Sequence, residues 1–343
     1  MNKDLPKEIA ARKKRWEELY AGRRLSMLQA EYPAANQMER PLPWPELKKQ
    51  RIEYAWQGYC ARLERLQVLD DDTIPSIAIE TGTEIFAESF GCKVHRPYND
   101  MPFALPVIFN YSDIAKVKDT ELSSSSLTRL FDMADELYER SDKEAVFRLP
   151  DIQSPMDITA LIWDKTDLYV ALIENPAAVL EVSAKVTRLL CAFLDEWFKR
   201  YGRSFIAHYP YYYMPCGVTL SEDEIGAIGP EMFSEFFLPE LNRLSERYGG
   251  IGVHCCATAR HQWEGLSRIK GLKLLNLNLP QNEILPAVEY FENITVQMHN
   301  WEWSGNPWEL PQEFPPNTRA VYSFQLKNKE EALRVCEHFA RLN

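Results

Sequence analysis

The sequence predicts an α/β protein built as a (β/α) barrel, with an open doubly wound sheet as the alternative. Strand-like apolar runs alternate with helical segments along most of the 343 residues, which is typical of parallel strands joined by right-handed crossovers. The length fits one barrel of about 250 residues plus an extension. The motifs GxGxxG and GxxxxGKS/T do not occur, so the phosphate-binding loops of the common nucleotide folds are missing. This favours the barrel.

We expect residues 1–70 to form a helical extension and residues 71–343 to form the barrel. Residues 3–31 and 46–69 have the polar character of two helices. The link RPLPWPEL between them contains Pro41, Pro43 and Pro45, which prevent a helix from continuing.

The barrel region begins with a strand-like run from Ile74 to Ile79, followed by the loop segment TGTEIFAESFG. SSSSLTRLFDMADELYERS carries an apolar helical stripe, EAVFRLPDIQSP contains a buried strand, and NPAAVLEVSAKVTRLLCAFLDEWFKRYG is an amphipathic helix. The alternation continues through SFIAHYPYYYMPCGV (apolar run), GPEMFSEFFLPELNRLSERYGG (helix), GIGVHCC (strand) and HQWEGLSRIKG (helix). LKLLNLNLP, NITVQMHN and RAVYSFQL are further strand-like runs, and NKEEALRVCEHFARL is the last helix.

Composition narrows the function. The formal net charge of -11 argues against binding to nucleic acid, which needs clustered Lys and Arg. The charged N-terminus differs from a signal peptide, and we find no run of about 20 apolar residues, so we expect a cytoplasmic protein. Seven cysteines, an odd number, are typical of free thiols or metal ligands in a reducing compartment.

Candidate chemistry centres on GGIGVHCCATARHQW, residues 249–263. On a strand, His254 and Cys256 point to one face while Val253 and Cys255 point to the other. An imidazole and a thiolate are zinc ligands, and the carboxyl ends of barrel strands carry the active site. The alternative is that His254 and Cys256 are buried, only pack in the protein interior, and bind no metal.

A second candidate is the acidic loop SEDE that precedes the GPEMF helix. If it lies at the same barrel face, one carboxylate can serve as a metal ligand, a general base or a substrate contact. We choose Asp223 first and Glu222 second as catalytic residues.

The acidic loop, the PEMFSEFFLPEL helix and a strand ending in HCC, in this order, resemble the uroporphyrinogen decarboxylase superfamily. The resemblance extends from Ile74 to the C-terminus and implies a (β/α)8 TIM barrel. It also implies one of two chemistries: decarboxylation of uroporphyrinogen without a cofactor, or zinc-dependent methyl transfer between a corrinoid and a thiol. The decarboxylases carry an arginine-rich RQAGRY loop for the carboxylates of the tetrapyrrole, and this sequence has no such loop. The methyltransferase branch is therefore the closer match.

In that branch, the resemblance implies a zinc site made of His-x-Cys and a distant cysteine. His254 and Cys256 match the first part, but RAVYSFQL contains no cysteine, and Cys336 shares the apolar stripe of the final helix. The third ligand is left open between Cys216, an acidic residue of SEDE, and His299. We choose Cys216 as the metal ligand beside His254 and Cys256.

The resemblance further implies methylcobalamin or another methylcorrinoid as the methyl donor, carried on a partner protein, and a homodimer is the common default. The aromatic candidates to face it are Tyr211, Tyr212, Tyr213, Trp301 and Trp303. The residues predicted to bind substrate are Glu80, Tyr211, Asn278 and His299. Further rim candidates are His95, Arg148 and His208, and Asn276 stands where relatives often carry an acidic residue.

Two alternatives remain at this stage. One is a cofactor-independent decarboxylase that acts on uroporphyrinogen or another carboxylate. The other is a degenerate, non-catalytic binding barrel, which the incomplete ligand set favours. An open pocket beneath His254 indicates an enzyme, whereas a pocket filled by Trp and Tyr indicates the degenerate barrel.

Overall fold

The computed structural model describes residues 3–34, 38–301 and 310–341 of the chain. Its strands are β1 (Ser26–Glu31), β2 (Ser76–Ala78), β3 (Lys93–His95), β4 (Phe103–Leu105), β5 (Val146–Arg148), β6 (Phe205–Ile206), β7 (Tyr213–Met214), β8 (Val218–Ser221), β9 (Ile251–Cys255), β10 (Leu272–Leu279), β11 (Val296–Gln297), β12 (Asn300–Trp301) and β13 (Ala320–Gln325).

The α-helices alternate with these strands along the chain. They are α1 (Leu5–Tyr20), α2 (Lys48–Val68), α3 (Glu84–Ala87), α4 (Thr128–Arg140), α5 (Pro155–Ile162), α6 (Lys165–Glu174), α7 (Pro176–Tyr201), α8 (Pro230–Met232), α9 (Leu238–Tyr248), α10 (Trp263–Ser267), α11 (Gln281–Phe291) and α12 (Lys329–Ala340). A π-helical turn, Phe233–Phe237, connects α8 to α9.

The central sheet closes on itself. Parallel pairs give the path β1-β13-β11-β10-β9-β8, and a second path runs β2-β5-β6-β7, in which only the β6-β7 pair is antiparallel. Backbone hydrogen bonds join the two paths on both sides: Asp72 donates to the Leu28 carbonyl over 2.7 Å, and Ser221 donates to the Ile152 carbonyl over 2.9 Å. The predicted (β/α)8 barrel with N-terminal helices is confirmed.

The N-terminal segment differs in one element from the prediction. The expected helix over residues 3–31 ends at Tyr20, and Gly22 follows with a left-handed φ of 70°. Residues Ser26–Glu31 then form β1, which pairs in parallel with β13 along its whole length. The four inner residues of β1 are buried, so burial between neighbouring strands overrides their polar sequence context. The domain boundary after residue 70 stays a prediction.

The apolar run SFIAHYPYYYMPCGV also differs, because it does not form one strand. It folds as the antiparallel hairpin β6-β7 and then continues into β8. Tyr212 and Tyr213 are almost fully buried in this hairpin. At Gly252, a Cβ atom would overlap the Tyr212 hydroxyl, which explains a glycine in the middle of β9.

The register of three neighbouring strands aligns the polar residues of the site. Ser221 of β8 pairs with His254 of β9, and His254 pairs with Asn276 of β10. Parallel strands end at the same side of a barrel, so these residues and the loops after them surround one opening. Among the described residues, no helix combines the length and the apolar character that crossing a bilayer requires.

Candidate metal and substrate site

A cavity of about 510 Å³ opens at the carboxyl ends of the barrel strands. This volume lies within the range of about 300–1,000 Å³ that is common for small-molecule sites. Its charged, imidazole and thiol groups are Arg40, Glu80, Arg148, Asp151, His208, Asp223, His254 and Cys256. The cavity is therefore open beneath His254 and is lined mainly by polar side chains.

His254 and Cys256 both line the cavity, as strand alternation predicts. Cys255 is fully buried on the other side of the strand, where its Sγ lies 3.7 Å from the Ala257 carbonyl. The two adjacent cysteines thus have different environments, and only Cys256 is accessible from the cavity.

Asp223 completes a cluster with His254 and Cys256. One ligand atom from each of the three residues lies within 4.8 Å of the other two. The Cys256 backbone N–H donates to Asp223 Oδ1 over 2.6 Å, which ties the acidic loop to the end of β9. Asp223 itself is held through its backbone N–H, which donates to Asp157 Oδ2 over 2.7 Å.

The tautomer of His254 is set by Asn276. The Asn276 side chain contacts the Met298 carbonyl, an acceptor, so it must place its amide nitrogen there and turn its oxygen to His254. His254 Nδ1 therefore donates to Asn276 Oδ1 over 2.5 Å. This leaves Nε2 as the unprotonated nitrogen, which is the state in which an imidazole binds a metal.

The protonation of the other groups follows from their surroundings. Burial lowers the pKa of His254 below its ordinary value, although Asp223 and Asn276 oppose this. Burial and the nearby Asp223 charge raise the pKa of the Cys256 thiol to about 12. In the protein alone, His254 is therefore neutral and Cys256 is protonated at neutral pH.

The donor set fits zinc. Zinc accepts imidazole nitrogen, thiolate sulfur and carboxylate oxygen, and three protein ligands leave an open position for a substrate. The imidazole already presents a free nitrogen, and a second-shell amide orients it. A divalent cation is also the kind of charge that converts a buried thiol into a thiolate.

Glu222 lies outside the cavity lining, in contrast to its predicted catalytic role. Its side chain is fully buried against Asp157, and burial raises its pKa well above the ordinary range. Burial also raises the pKa of Asp157 to about 7. Glu222 is the protonated member of the pair and donates to Asp157, which in turn accepts the backbone N–H groups of Asp223 and Glu224. The pair holds the acidic loop in place.

Glu80 and Tyr211 line the cavity, as does Asn278. Glu80 forms a short ion pair with Arg148 and lies 3.5 Å from Arg40. The Arg148 guanidinium also stacks over the Tyr211 ring at 4.5 Å. Three of the four predicted substrate-binding residues are thus at the cavity, and Arg148, a further rim candidate, lies between two of them.

Two predicted residues lie elsewhere. His299 is buried outside the cavity lining, where Nδ1 accepts from the Leu277 N–H over 3.1 Å and Nε2 lies 2.9 Å from Gln297 Oε1. Cys216 precedes β8 and lies beside Gly249, which precedes β9. That position is at the amino ends of these strands, opposite to the end that carries His254. The structure therefore does not bring Cys216 or His299 to the cluster.

Sequence reasoning missed Asp151 and named His208 only as a rim candidate. Both line the cavity, and His208 Nε2 lies 3.2 Å from Asp151 Oδ1. The available signal was the position of Asp151 in RLPDIQSP, three residues after a buried strand. Of the aromatic candidates, Trp303 and the side chain of Trp301 lie outside the described residues.

Comparison with known proteins agrees with this fold. The family described as uroporphyrinogen decarboxylase (URO-D) matches residues 65–280. A methyltransferase from Methanosarcina mazei has a similar structure, with a TM-score of 0.67 and 10% sequence identity over 96% of this chain and 98% of that chain. A search of curated protein sequences gives no match.

The closed, mainly parallel sheet and the cavity at the carboxyl ends of its strands define the protein as a (β/α)8 barrel. The chain belongs to the uroporphyrinogen decarboxylase family, because the family match covers more than half of its length.

Proposed function

We propose that this protein is a zinc-dependent methyltransferase that moves a methyl group from a methylcorrinoid to a thiol. The observation that carries the proposal is the cluster of Asp223, His254 and Cys256, whose ligand atoms lie within 4.8 Å of one another at the open end of the barrel. This replaces the predicted ligand set, because Asp223 takes the third position that had been given to Cys216.

Each of the three residues would have a defined role in holding the ion. His254 supplies Nε2, Cys256 supplies its sulfur, and Asp223 retains Oδ2 while Oδ1 accepts the Cys256 N–H. When bound, zinc would lower the pKa of a substrate thiol in the open position, which makes the sulfur nucleophilic near neutral pH. The cavity of about 510 Å³ would then orient the rest of the thiol.

The methyl donor would approach from outside. The cavity opens at the strand ends, so a methylcorrinoid carried by a partner protein would cover its mouth while the thiol lies beneath. Tyr209 and Tyr211 are partly exposed there, and the Tyr209 ring lies 4.7 Å from the His254 ring. Tyr211 remains a candidate to face the corrinoid, and Tyr209 joins it in place of Tyr212 and Tyr213, which are buried.

A decarboxylase that acts on a carboxylate is the second candidate. Arg40 and Arg148 line the cavity, and bidentate arginine is the natural partner of a carboxylate. Against this candidate, Arg148 is already paired with Glu80. A carboxylate substrate would have to displace that glutamate.

The first test is the zinc content of the purified protein, measured by elemental mass spectrometry. We expect about one zinc per chain, and we expect His254→Ala, Cys256→Ser and Asp223→Asn each to weaken zinc binding by about tenfold or more. Cys255→Ser is the matched control, because it removes the neighbouring thiol on the opposite face of β9. A protein that binds no zinc, or that binds it equally well in all three variants, contradicts the proposed metal site.

The reaction itself is tested with methylcobalamin and a panel of thiols. Loss of the methyl–cobalt absorbance together with thioether formation, abolished in Cys256→Ser, is the expected result. Turnover of uroporphyrinogen in protein treated with a chelator would instead support the decarboxylase. No turnover with either substrate would leave the degenerate binding barrel.

A further inference from the structure

Asp151 is an acidic residue of the cavity that the metal cluster does not use. It follows β5, and its backbone N–H donates to Thr81 Oγ1 over 2.9 Å. The Gln153 side chain donates to Asp151 Oδ1 over 2.5 Å, and His208 Nε2 lies 3.2 Å from the same oxygen. These contacts fix the carboxyl group without involving Asp223, His254 or Cys256.

The tautomer of His208 determines whether the ring nitrogen near Asp151 carries a proton. Burial lowers the pKa of His208 to about 3, so the imidazole is neutral. Its Nδ1 is buried and has no hydrogen-bond partner in the part of the chain that the structure describes. A buried N–H without a partner is rarer and more costly than a bare acceptor, so the proton lies on Nε2. His208 Nε2 then lies near two acceptors, Ser221 Oγ at 3.3 Å and Asp151 Oδ1 at 3.2 Å.

The Gln153 amide donates to one oxygen of Asp151, and the His208 imidazole lies beside the same oxygen. Within residues 3–34, 38–301 and 310–341, no hydrogen bond reaches Oδ2, and Asp151 lines the cavity. Oδ2 is therefore the atom at which the carboxyl group can gain or lose a proton in exchange with a bound molecule. Gln153 holds the other oxygen in place by its hydrogen bond, and His208 lies beside it.

The surroundings of the carboxyl group bring its pKa close to neutral pH, where the ionised form still predominates and can accept a proton. Burial raises the pKa of Asp151 to about 6, and the charges of Asp223 and Glu80 add to this effect. The hydrogen bond from Gln153 and the proximity of His254 oppose it. Arg148 also lines the cavity, but it is paired with Glu80.

We propose that Asp151 is the catalytic base that takes the proton of the substrate thiol through its Oδ2 atom, with His208 and Gln153 as positioning residues. This inference rests on the proposed function. The S–H bond of the thiol breaks, an O–H bond forms at Oδ2, and the electron pair stays on sulfur, which becomes the nucleophile. The proton then leaves through the mouth of the cavity.

The variant Asp151→Asn tests this role, because an amide keeps the shape of the side chain and cannot accept the proton. In the wild type we expect the rate with saturating zinc and thiol to rise with pH as Asp151 ionises, with a midpoint at or below about 6, because bound zinc would offset the Asp223 charge that helps to raise this pKa. We expect Asp151→Asn to lose this rise and to be slower by about 100-fold, the scale of general base catalysis. Its zinc content should equal that of the wild type.

Infrared spectroscopy gives a readout that does not depend on turnover. Between about pH 5 and about pH 7, the wild type should lose a protonated-carboxyl band that Asp151→Asn lacks. Glu240→Gln is the matched control. Glu240 is a buried carboxyl group whose pKa burial also raises to about 6, and it lies outside the cavity. This variant should lose its own band and keep the wild-type rate and pH profile.

The outcomes separate the two proposals. A wild type without zinc or without methyl transfer contradicts the proposed function, and the role of Asp151 falls with it. An active wild type whose rate and pH profile are unchanged in Asp151→Asn, or a wild type without the Asp151 band, overturns the role of Asp151 alone. Equal slowing in Glu240→Gln would show a general loss of structure and also overturn it.

Discussion

Asn276, which orients the proposed metal ligand His254, is as informative as the ligand itself. Asn276 accepts from His254 Nδ1, and its amide group donates to the Met298 carbonyl and to Asn300 Oδ1 at 3.3 Å. From the sequence, Asn276 appeared only as a departure from an acidic residue in relatives. The structure gives it a positive role, because an amide can satisfy His254 and Met298 together whereas a carboxylate cannot donate.

We predict that Asn276→Leu weakens zinc binding by about 10- to 100-fold, the usual effect of removing a hydrogen-bond partner from a metal-ligating histidine. Without Asn276 Oδ1, nothing favours the Nδ1–H tautomer, and the ring can turn. Competition with a colorimetric chelator measures the affinity. Asn278→Leu is the control, because Asn278 follows on the same strand, lines the cavity and has no bond to His254. Equal affinities in the two variants would contradict this role.

At the scale of elements, buried acids also occur between helices of the outer layer. Glu240 of α9 is almost fully buried, and its Oε1 accepts from Ser183 and Thr187 of α7 over 2.8 and 2.7 Å. Burial raises its pKa to about 6, although both hydroxyl groups oppose the shift. α7 and α9 therefore pack around a carboxyl group that keeps its proton to a higher pH in the folded state than in the unfolded chain.

We predict that Glu240→Gln becomes more stable relative to the wild type as the pH rises. An unfolded glutamate has a pKa near 4.3, so the folded state holds the proton where the unfolded chain has lost it. The contribution of Glu240 is complete at low pH and is lost as the pH rises through about 6. Between about pH 5 and about pH 8, the free energy of unfolding of the wild type should fall by about 1 kcal/mol relative to the variant. Urea unfolding at several pH values measures this difference, and a constant difference would contradict it.

The elements show which parts of the site the sequence could reveal. Strand alternation predicted that His254 and Cys256 share a face, because that relation depends on one short strand alone. The third ligand depends on how loops return to the barrel. The hairpin β6-β7 places Cys216 at the amino ends of β8 and β9, and no periodicity in an apolar run contains that information.

The dependence on tertiary structure also explains why the sequence did not reveal the position of Asp151 or the strand β1. β5 contains only three residues, too few to show alternation, so the sequence indicated that Asp151 follows a strand but not that it faces the cavity. β1 contains Gln29 and Glu31, which read as part of a polar helix, and only pairing with a strand about 300 positions away makes it a strand. Pairing between strands so far apart in the sequence depends on closure of the barrel, which local strand propensity does not reveal.

At the scale of the whole molecule, the ring closes through side chains where β1 meets the segment before β2. Asp72 Oδ2 accepts the Leu28 N–H over 2.8 Å, and Asp71 Oδ2 accepts the Ala30 N–H over 3.1 Å. Arg12 of α1 pairs with Asp71 at this seam, the junction between β1 and the segment before β2. It is 1% exposed, contacts Asp71 and donates to the Leu69 and Thr73 carbonyls. The N-terminal helix thus holds the barrel closed.

We predict that Arg12→Met lowers the free energy of unfolding by about 3–5 kcal/mol, because it leaves Asp71 buried without its partner. Urea unfolding followed by tryptophan fluorescence measures the loss, and the opened strand edges should also promote aggregation. Lys14→Met on the same helix is the control, since Lys14 is 76% exposed and should change stability by less than about 0.5 kcal/mol. If the two variants unfold at the same urea concentration, the seam does not depend on Arg12. The pairing of β1 with β13 would then be sufficient to keep the ring closed.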